Sequence, residues 1–238
     1  MKSDIEIPSR IAALPRDEKG RPIPWFVHQE SGQAVDFRVV DGSKLRQAVE
    51  DRLCWVCGEK LGTYITFVSG PMCGVNRTSA EPPSHYACAR FSASACPFLS
   101  TPRMHRREGD YPGEVSAPAG IALERNPGVT LLWTTKEFSI LPDGAGGFVL
   151  RMGDPTQVQF FCEGRPATRE ELDYSVQTGL PLLLDVARKD GSEAILSLKR
   201  MIRKFYLVVD HFLGEPETLQ SFQRTDPVGP LPDGLHFH

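Results

Sequence analysis

The chain lacks any apolar run approaching the roughly 20 residues that a membrane-crossing helix needs, so membrane-spanning function classes are not expected. Residues 1–10 lack the apolar stretch of a secretory signal. Internal repeats and low-complexity tracts are missing too, which argues against stacked-repeat architectures. Excess charge of either sign is also missing. Lys and Arg total 27 against 30 Asp and Glu, leaving −3, whereas strong non-specific nucleic-acid binding rests on many cation–phosphate contacts. What is present is 40% hydrophobic residues over 238 positions, enough for a buried core in one large domain or two small ones.

Cysteines number six. Two of them, Cys54 and Cys57, form a CxxC followed by Gly58. Two residues of separation let both sulfurs face one ion if the chain turns tightly, and glycine suits the left-handed backbone that closes such a turn. Downstream stands Ser84-His85-Tyr86-Ala87-Cys88. Pro82 and Pro83 end any earlier helix, Ser84 is a favourable cap, and an alanine-rich run follows to Cys96. His85 and Cys88 then share one helix face. Together the four residues read as ligands for one structural zinc ion, which favours a tetrahedron of sulfur and nitrogen. Cys96 lies eight residues past Cys88, about 12 Å along a continuous helix, too far to join it on the same ion. Cys73, in a turn-rich stretch, is the candidate to replace His85. Six unrelated thiols or an iron–sulfur cluster are the competing readings. CxxC without a secretory signal predicts reduced thiols and a cytoplasmic address.

The knuckle from Cys54 to Gly58, the strand-like run 61–68, and the His85/Cys88 pair at a helix start resemble the treble-clef zinc module. The resemblance covers residues 50–98. It implies a structural zinc and leaves activity open, since that frame serves many functions.

Along the chain, residues 1–20 read as an N-terminal arm. The stretch 22–27 is extended by Pro22 and Pro24 and leads into an apolar strand, and 36–40 alternates like a half-buried strand. Ser43 is expected to cap a helix whose stripe is Leu45, Val49 and Leu53. Residues 64–68 read as a strand, and 70–83 as a long aperiodic loop. A basic run with Arg103, Arg106 and Arg107 precedes a Pro/Gly-rich linker at 111–128. A second unit follows: a strand at 129–134, a turn at 142–147, a mate for the first strand at 148–152, and a further strand at 158–162. Thr168 and Glu171 form a capping box. Its helix should stop at Gly179, with a second helical piece at 180–187 and a third helix capped by Ser192. That last helix gathers Ile195, Leu198, Ile202, Phe205, Val209 and Phe212 on one side and Lys199, Arg200, Arg203 and Lys204 on the other, with Leu207 intruding among the polar residues.

Enzymatic readings divide on the residues they need. A nuclease on a treble-clef frame needs a histidine in 64–68, and none is there. A zinc deaminase needs glutamate beside its ligand histidine, but Tyr86 follows His85. A thioredoxin-type use of CxxC needs a strand before and a helix after, the reverse of the order here. The remaining enzyme reading is a hydrolase or transferase using Cys73, with Arg77 depressing its pKa and His105 or His28 as base. The sequence therefore predicts an α+β chain. A zinc-binding domain at 21–110 is followed by the 111–128 linker, a small antiparallel sheet with C-terminal helices at 129–214, and a tail at 215–238. The expected function is that of a zinc-stabilised binding protein, with nucleic acid ahead of protein as ligand. The cationic residues of the basic run and of the last helix are the candidate contacts.

Overall fold

The structure is a computed structural model that describes residues 6–29, 34–37, 39–100, 128–143 and 147–213. It is α+β. In chain order the elements are α1 (Ser9–Ala12), α2 (Gly42–Glu50), β1 (Ile65–Ser69), α3 (Pro71–Asn76), β2 (Thr78–Ser79), α4 (Tyr86–Ala95), α5 (Pro97–Ser100), β3 (Thr130–Thr135), β4 (Phe138–Pro142), β5 (Phe148–Met152), β6 (Gln157–Cys162), β7 (Arg165–Pro166), α6 (Arg169–Asp190) and α7 (Ser192–Leu213). None of these helices is long and apolar enough to cross a membrane.

The main sheet is antiparallel in the order β1-β3-β6-β7. Its centre, β3, is buried at every position, which requires cover on both faces. Leu131 and Trp133 on one face pack into the large core with Phe67, Val158 and Phe160, where Leu172 of α6 and Phe205 of α7 join them. On the other face Leu132 and Phe161 meet Ala89 and Ala93 of α4. The register follows the same division: Phe67 lies opposite Trp133, and Trp133 opposite Val158. On the α4 face, Thr66 and Thr134 are also paired, and their buried hydroxyls hydrogen-bond at 2.9 Å. Both sheet and core therefore draw on chain from either side of residues 101–127.

Several elements depart from the sequence expectations. The expected mate of β3, residues 148–152, pairs instead with β4 and β2 in a second small sheet of order β2-β5-β4. Strand β4 ends at Pro142 and β5 begins at Phe148, the expected turn between them lying partly outside the described residues, and β3 takes β1 and β6 as neighbours. The stretch 70–83 is not loop throughout. Pro71 opens α3, where its missing N–H costs nothing, and the chain leaves that helix through Arg77 in left-handed backbone (φ 59°) into β2. Asp41, rather than Ser43, caps α2, its carboxylate accepting from the Ser43 and Lys44 amides. Residues 6–20, read as an arm, dock on the core through the buried Ile11, and Arg10 pairs with Glu59 at 2.7 Å.

Helix α6 does not stop at Gly179 but continues through Pro181 to Asp190. An interior proline costs about 3 kcal/mol. The buried series Leu172, Val176, Leu180, Leu184, Ala187 runs unbroken across it, and burying each of its leucine and valine side chains contributes about 1.5–3 kcal/mol, enough to hold the two halves in line. Its N-terminus is as expected: Thr168 accepts from the Glu171 amide, and Glu171 accepts from the Thr168 amide at 2.8 Å. Glu171 also receives Arg165 and is held at about 2, chiefly by that guanidinium.

Helix α7 buries Leu198, Ile202, Phe205 and Val209 as its stripe predicts. Phe205 reaches α3 because Gly74 carries no side chain; a Cβ there would lie 2.6 Å from the Phe205 ring.

Thr168→Ala should lower stability by about 1 kcal/mol, seen as a reduced urea midpoint with an unchanged slope. A shallower slope in the variant would show that α6 unfolds apart from the sheet.

Candidate metal centre

The knuckle is built by backbone before any side chain contributes. After α2 the chain turns through Arg52 (φ 52°) and Gly58 (φ 75°), with Leu53 bridged to Lys60. The Cys54 amide donates to the Glu59 carbonyl and the Gly58 amide to the Cys54 carbonyl, each at 2.8 Å. Gly58 is doubly constrained. Its φ is one that side chains resist, and a Cβ would lie 2.7 Å from the Trp25 ring. Trp25 in turn donates its amide to the Val56 carbonyl at 2.7 Å, and Phe26 stacks on Trp55 at 4.9 Å between centroids. The Pro-flanked stretch at 22–27 is thus the floor of the knuckle.

The second pair arrives on a strand-like approach. Ser84 and Thr66 exchange amide–carbonyl hydrogen bonds at 2.8 Å, and the Trp55 amide donates to the Pro83 carbonyl at 3.1 Å. These bonds tie the segment before α4 to both β1 and the knuckle. His85, not Ser84, is the N-cap of α4, without a side-chain cap bond of its own. Its ring is engaged elsewhere.

Cys54, Cys57, His85 and Cys88 come together with their donor atoms all within 4.8 Å of one another. The three cysteines are buried and the histidine partly so. In a tetrahedron with bonds of about 2.3 Å to sulfur, neighbouring donors stand about 3.8 Å apart; Cys57 Sγ and His85 Nδ1 are separated by 3.4 Å. His85 Nε2 lies 3.0 Å from the Lys60 carbonyl, which can only accept. That contact puts the ring proton on Nε2 and leaves the Nδ1 lone pair facing the sulfurs, the orienting arrangement usual for a metal-bound imidazole. Amides of Cys57 and His85 donate to Cys54 Sγ at 3.5 and 3.4 Å.

The electrostatics point the same way. Hydrogen bonding from Cys57 and then Cys88 holds Cys54 far below the ordinary thiol range. Cys57 is pushed up to about 11, chiefly by its hydrogen bond with Cys54, and Cys88 is raised by Cys54 and Cys57. Three sulfurs this close cannot all ionise beside one another unless a cation neutralises them. The group can hold one metal ion.

Other candidate residues lie apart from this cluster. Cys73 is in α3, half-buried, and Cys96 is the C-cap of α4, its thiol raised by burial; neither is among the four clustered donors. Arg77, expected to activate Cys73, is held by the Met152 carbonyl and by Asp154 Oδ1, each at 3.0 Å, and lies 5.0 Å above the Trp133 ring. Lys199, Arg200, Arg203 and Lys204 are exposed along α7, with Arg200 3.2 Å from Glu193. Arg103, His105, Arg106 and Arg107 lie outside the described residues. The sequence reasoning missed Trp25 as the ring beneath Gly58; the expected strand at 25–27 is instead a turn closed by the Val27 amide on the Pro24 carbonyl at 3.1 Å, which brings Trp25 under the knuckle. It also missed the Thr66–Ser84 link, for which no local signal exists.

Elemental analysis of purified protein should find one metal equivalent, retained in Cys73→Ser and Cys96→Ser and lost in Cys54→Ser and Cys88→Ser. Uptake at neutral pH should release protons, because Cys57 and Cys88 are protonated without a cation, so affinity should rise with pH. Calorimetry in buffers of differing ionisation enthalpy reads that release. Gly58→Ala should cost about 2 kcal/mol or more from backbone strain with the Trp25 clash added, measurable as a lowered unfolding midpoint in excess metal. Comparison with protein-family models, curated proteins and solved structures finds no match.

Proposed function

We propose that the ion at Cys54, Cys57, His85 and Cys88 is a structural zinc and that the protein is a zinc-stabilised docking module for an acidic, amphipathic protein segment. Three thiolates and one imidazole in a closed set favour zinc. The Lys60 carbonyl behind His85 suits a ligand locked in place rather than one exchanged during turnover. The treble-clef likeness, in which zinc is structural, supports the same reading. Six free cysteines fit a reducing compartment, and a cytoplasmic location belongs to the proposal.

The observation that carries the partner is the outer face of α7. Leu196 and Leu207 are 47% and 60% exposed, and between them stand Lys199, Arg200, Arg203 and Lys204, all exposed. The positions recur at three- and four-residue steps, so they form one continuous stripe. A polyanion would use the cations and gain nothing from the leucines. A helix bearing carboxylates around a leucine seam uses both. Nucleic acid is the second reading, favoured by the same four cations and opposed by the net charge of −3.

The test is titration of the zinc-loaded chain with a synthetic helical peptide carrying leucines at three- and four-residue spacing and glutamates on either side, and separately with mixed single-stranded and duplex oligonucleotides. The peptide should bind with salt-sensitive affinity, and Leu196→Ala/Leu207→Ala should weaken it at least tenfold while leaving zinc content unchanged. Tight oligonucleotide binding that ignores the leucine substitutions would transfer the function to nucleic acid.

A further inference from the structure

Among the described residues each sheet has two outer strands, and three of these four are blunted. Strands β2 and β7 are two residues long, and β1 carries the Thr66–Ser84 exchange along its outer side. Strand β4 is the exception. It runs five residues, Phe138-Ser139-Ile140-Leu141-Pro142, and holds no charge. Proteins guard an open edge with brevity, charge, proline or a cover, because it is a template for another strand. Only Pro142, at the end of β4, meets that rule. Ile140 is 55% exposed, although it lies directly across from Leu150, which is fully buried. The apolar face of the small sheet thus runs out at its rim.

The hydrogen-bond phase of β4 fixes which backbone groups face that rim. The Glu137 carbonyl accepts from the Gly153 amide at 3.0 Å, and the Asp143 amide donates to the Gly147 carbonyl at 3.1 Å. Bonded residues alternate in an antiparallel pair, so 137, 139, 141 and 143 turn their backbone groups toward β5. The far side of β5 agrees, since the Met152 amide donates to the Arg77 carbonyl, toward β2. Phe138, Ile140 and Pro142 therefore direct their backbone groups outward. Outside the β4–β5 ladder, no hydrogen bond reaches Phe138 or Ile140 among the described residues. The rim offers two N–H donors and three carbonyls, proline having no N–H.

We infer that β4 is a docking edge for an extended segment of a partner protein, apolar at its centre and basic where it meets Glu137. In such strand addition the main chain supplies affinity and alternate side chains supply selectivity. An antiparallel segment is favoured, as the stabler pairing per residue. Its residue opposite Ile140 exchanges both backbone bonds there, and the residue opposite Phe138 does the same. Charge selects the flank. Glu137 is exposed and has no ion pair among the described residues. Asp143, on the same face of β4, is acidic too, with Oδ1 accepting from the Gly147 amide at 2.8 Å. The nearby cations lie back from the rim: Arg151 is on β5 opposite Ser139, and Lys136 stands 5.5 Å over the Tyr64 ring. A cation at the C-terminal end of the segment completes an opposite-charge pair with Glu137. A second copy of β4 fits worse. Centred on Ile140, it sets Glu137 against Asp143 of the other copy, and its Pro142 brings no donor to Phe138. The outer face of α7 takes no part in this site.

The experiment uses the full zinc-loaded chain and the peptide acetyl-Lys-Thr-Val-Val-Thr-Val-Arg-amide, read by calorimetry and amide hydrogen exchange. Its central valine falls opposite Ile140 and its arginine opposite Glu137. Binding should slow exchange at the Ile140 and Phe138 amides at least tenfold. Ser139 and Leu141, whose amides already bond β5, should keep their rates. N-methylation of the peptide separates this geometry from non-specific adhesion. A methyl on the nitrogen opposite Ile140 should abolish binding, whereas one on the next nitrogen, opposite Ser139, should cost less than threefold. Glu137→Lys should weaken the peptide at least fivefold, and exchanging the peptide's arginine for glutamate should restore it. Ile140→Pro removes an outward N–H, spares the ladder, and should weaken binding at least tenfold. Zinc content and unfolding midpoint in each variant show that the fold survives. No binding of the unmethylated peptide, indifference to the site of methylation, or Glu137→Lys without effect would overturn the assignment. So would an Ile140 amide already protected in the free chain, or a dimer of the chain alone that Ile140→Pro dissociates, which gives the edge to a second copy.

Discussion

Three cysteine sulfurs and an imidazole nitrogen share a volume in which no two donor atoms are more than 4.8 Å apart. In water such a group would fly apart on ionisation, and buried as it is, it can hold at most part of its charge unaided. The backbone imposes the crowding. Turns at Arg52 and Gly58, the Trp25 ring beneath them and the Thr66–Ser84 exchange fix where each sulfur stands. A cation held by the four donors would convert this arrangement from a strained one to a stabilising one. Because the unfolded chain offers no such preformed set, the binding free energy of such a cation would become folding free energy. The knuckle, β1 and the start of α4 already bury Cys54, Ile65, Phe67 and Cys88 in the core, and an ion held by the four donors would add a direct tie between them.

The link from that unit to the rest of the molecule runs through β1. Thr66 bonds Ser84, the neighbour of His85, while the next residue, Phe67, lies opposite Trp133 of β3. Consecutive residues on one strand point to opposite faces of the sheet. One strand therefore ties the segment before His85 to its free edge through backbone hydrogen bonds, while its side chains pack toward α4 on one face and toward the core beneath α6 and α7 on the other. The buried Thr66–Thr134 hydroxyl pair at 2.9 Å sets the register between β1 and β3, and a slip of one residue would exchange those faces. The two stretches that the sequence sets apart on either side of 111–128 thus both contribute strands to one sheet.

What could be read from the sequence was local. The CxxC with its glycine, the His85/Cys88 spacing, the Thr168/Glu171 capping box and the apolar stripe of α7 each depend on residues within one or two turns of chain, so their pattern survives without knowledge of the fold. Strand pairing does not. Residues 148–152 have the alternation of a strand, but nothing in them says that β4 rather than β3 is their neighbour. Gly179 followed by Pro181 carries a legitimate stop signal, overridden because the buried face of α6 continues past it. Residues 70–83 looked aperiodic because α3 is six residues long and β2 only two, too short for a period to register.

Arg77 shows most clearly why a residue's role can be invisible in sequence. By spacing it is four residues after Cys73 and invites reading as that thiol's activator. In the fold its position as the left-handed C-cap of α3 turns it toward β5 and the loop after it, where Met152 and Asp154 hold one nitrogen and Trp133 supports the plane. The guanidinium has five donors in a rigid fork, so satisfying one nitrogen fixes the direction of the others. The buried Nε is the consequence: it lies where the contacts of Nη2 and of the Trp133 ring leave it, without an acceptor. A lysine at this position could rotate its ammonium to whatever acceptor was near. An arginine held by its far end has its remaining donors fixed in direction, and here that makes it a tie between the end of α3, β5 and the Trp133 ring.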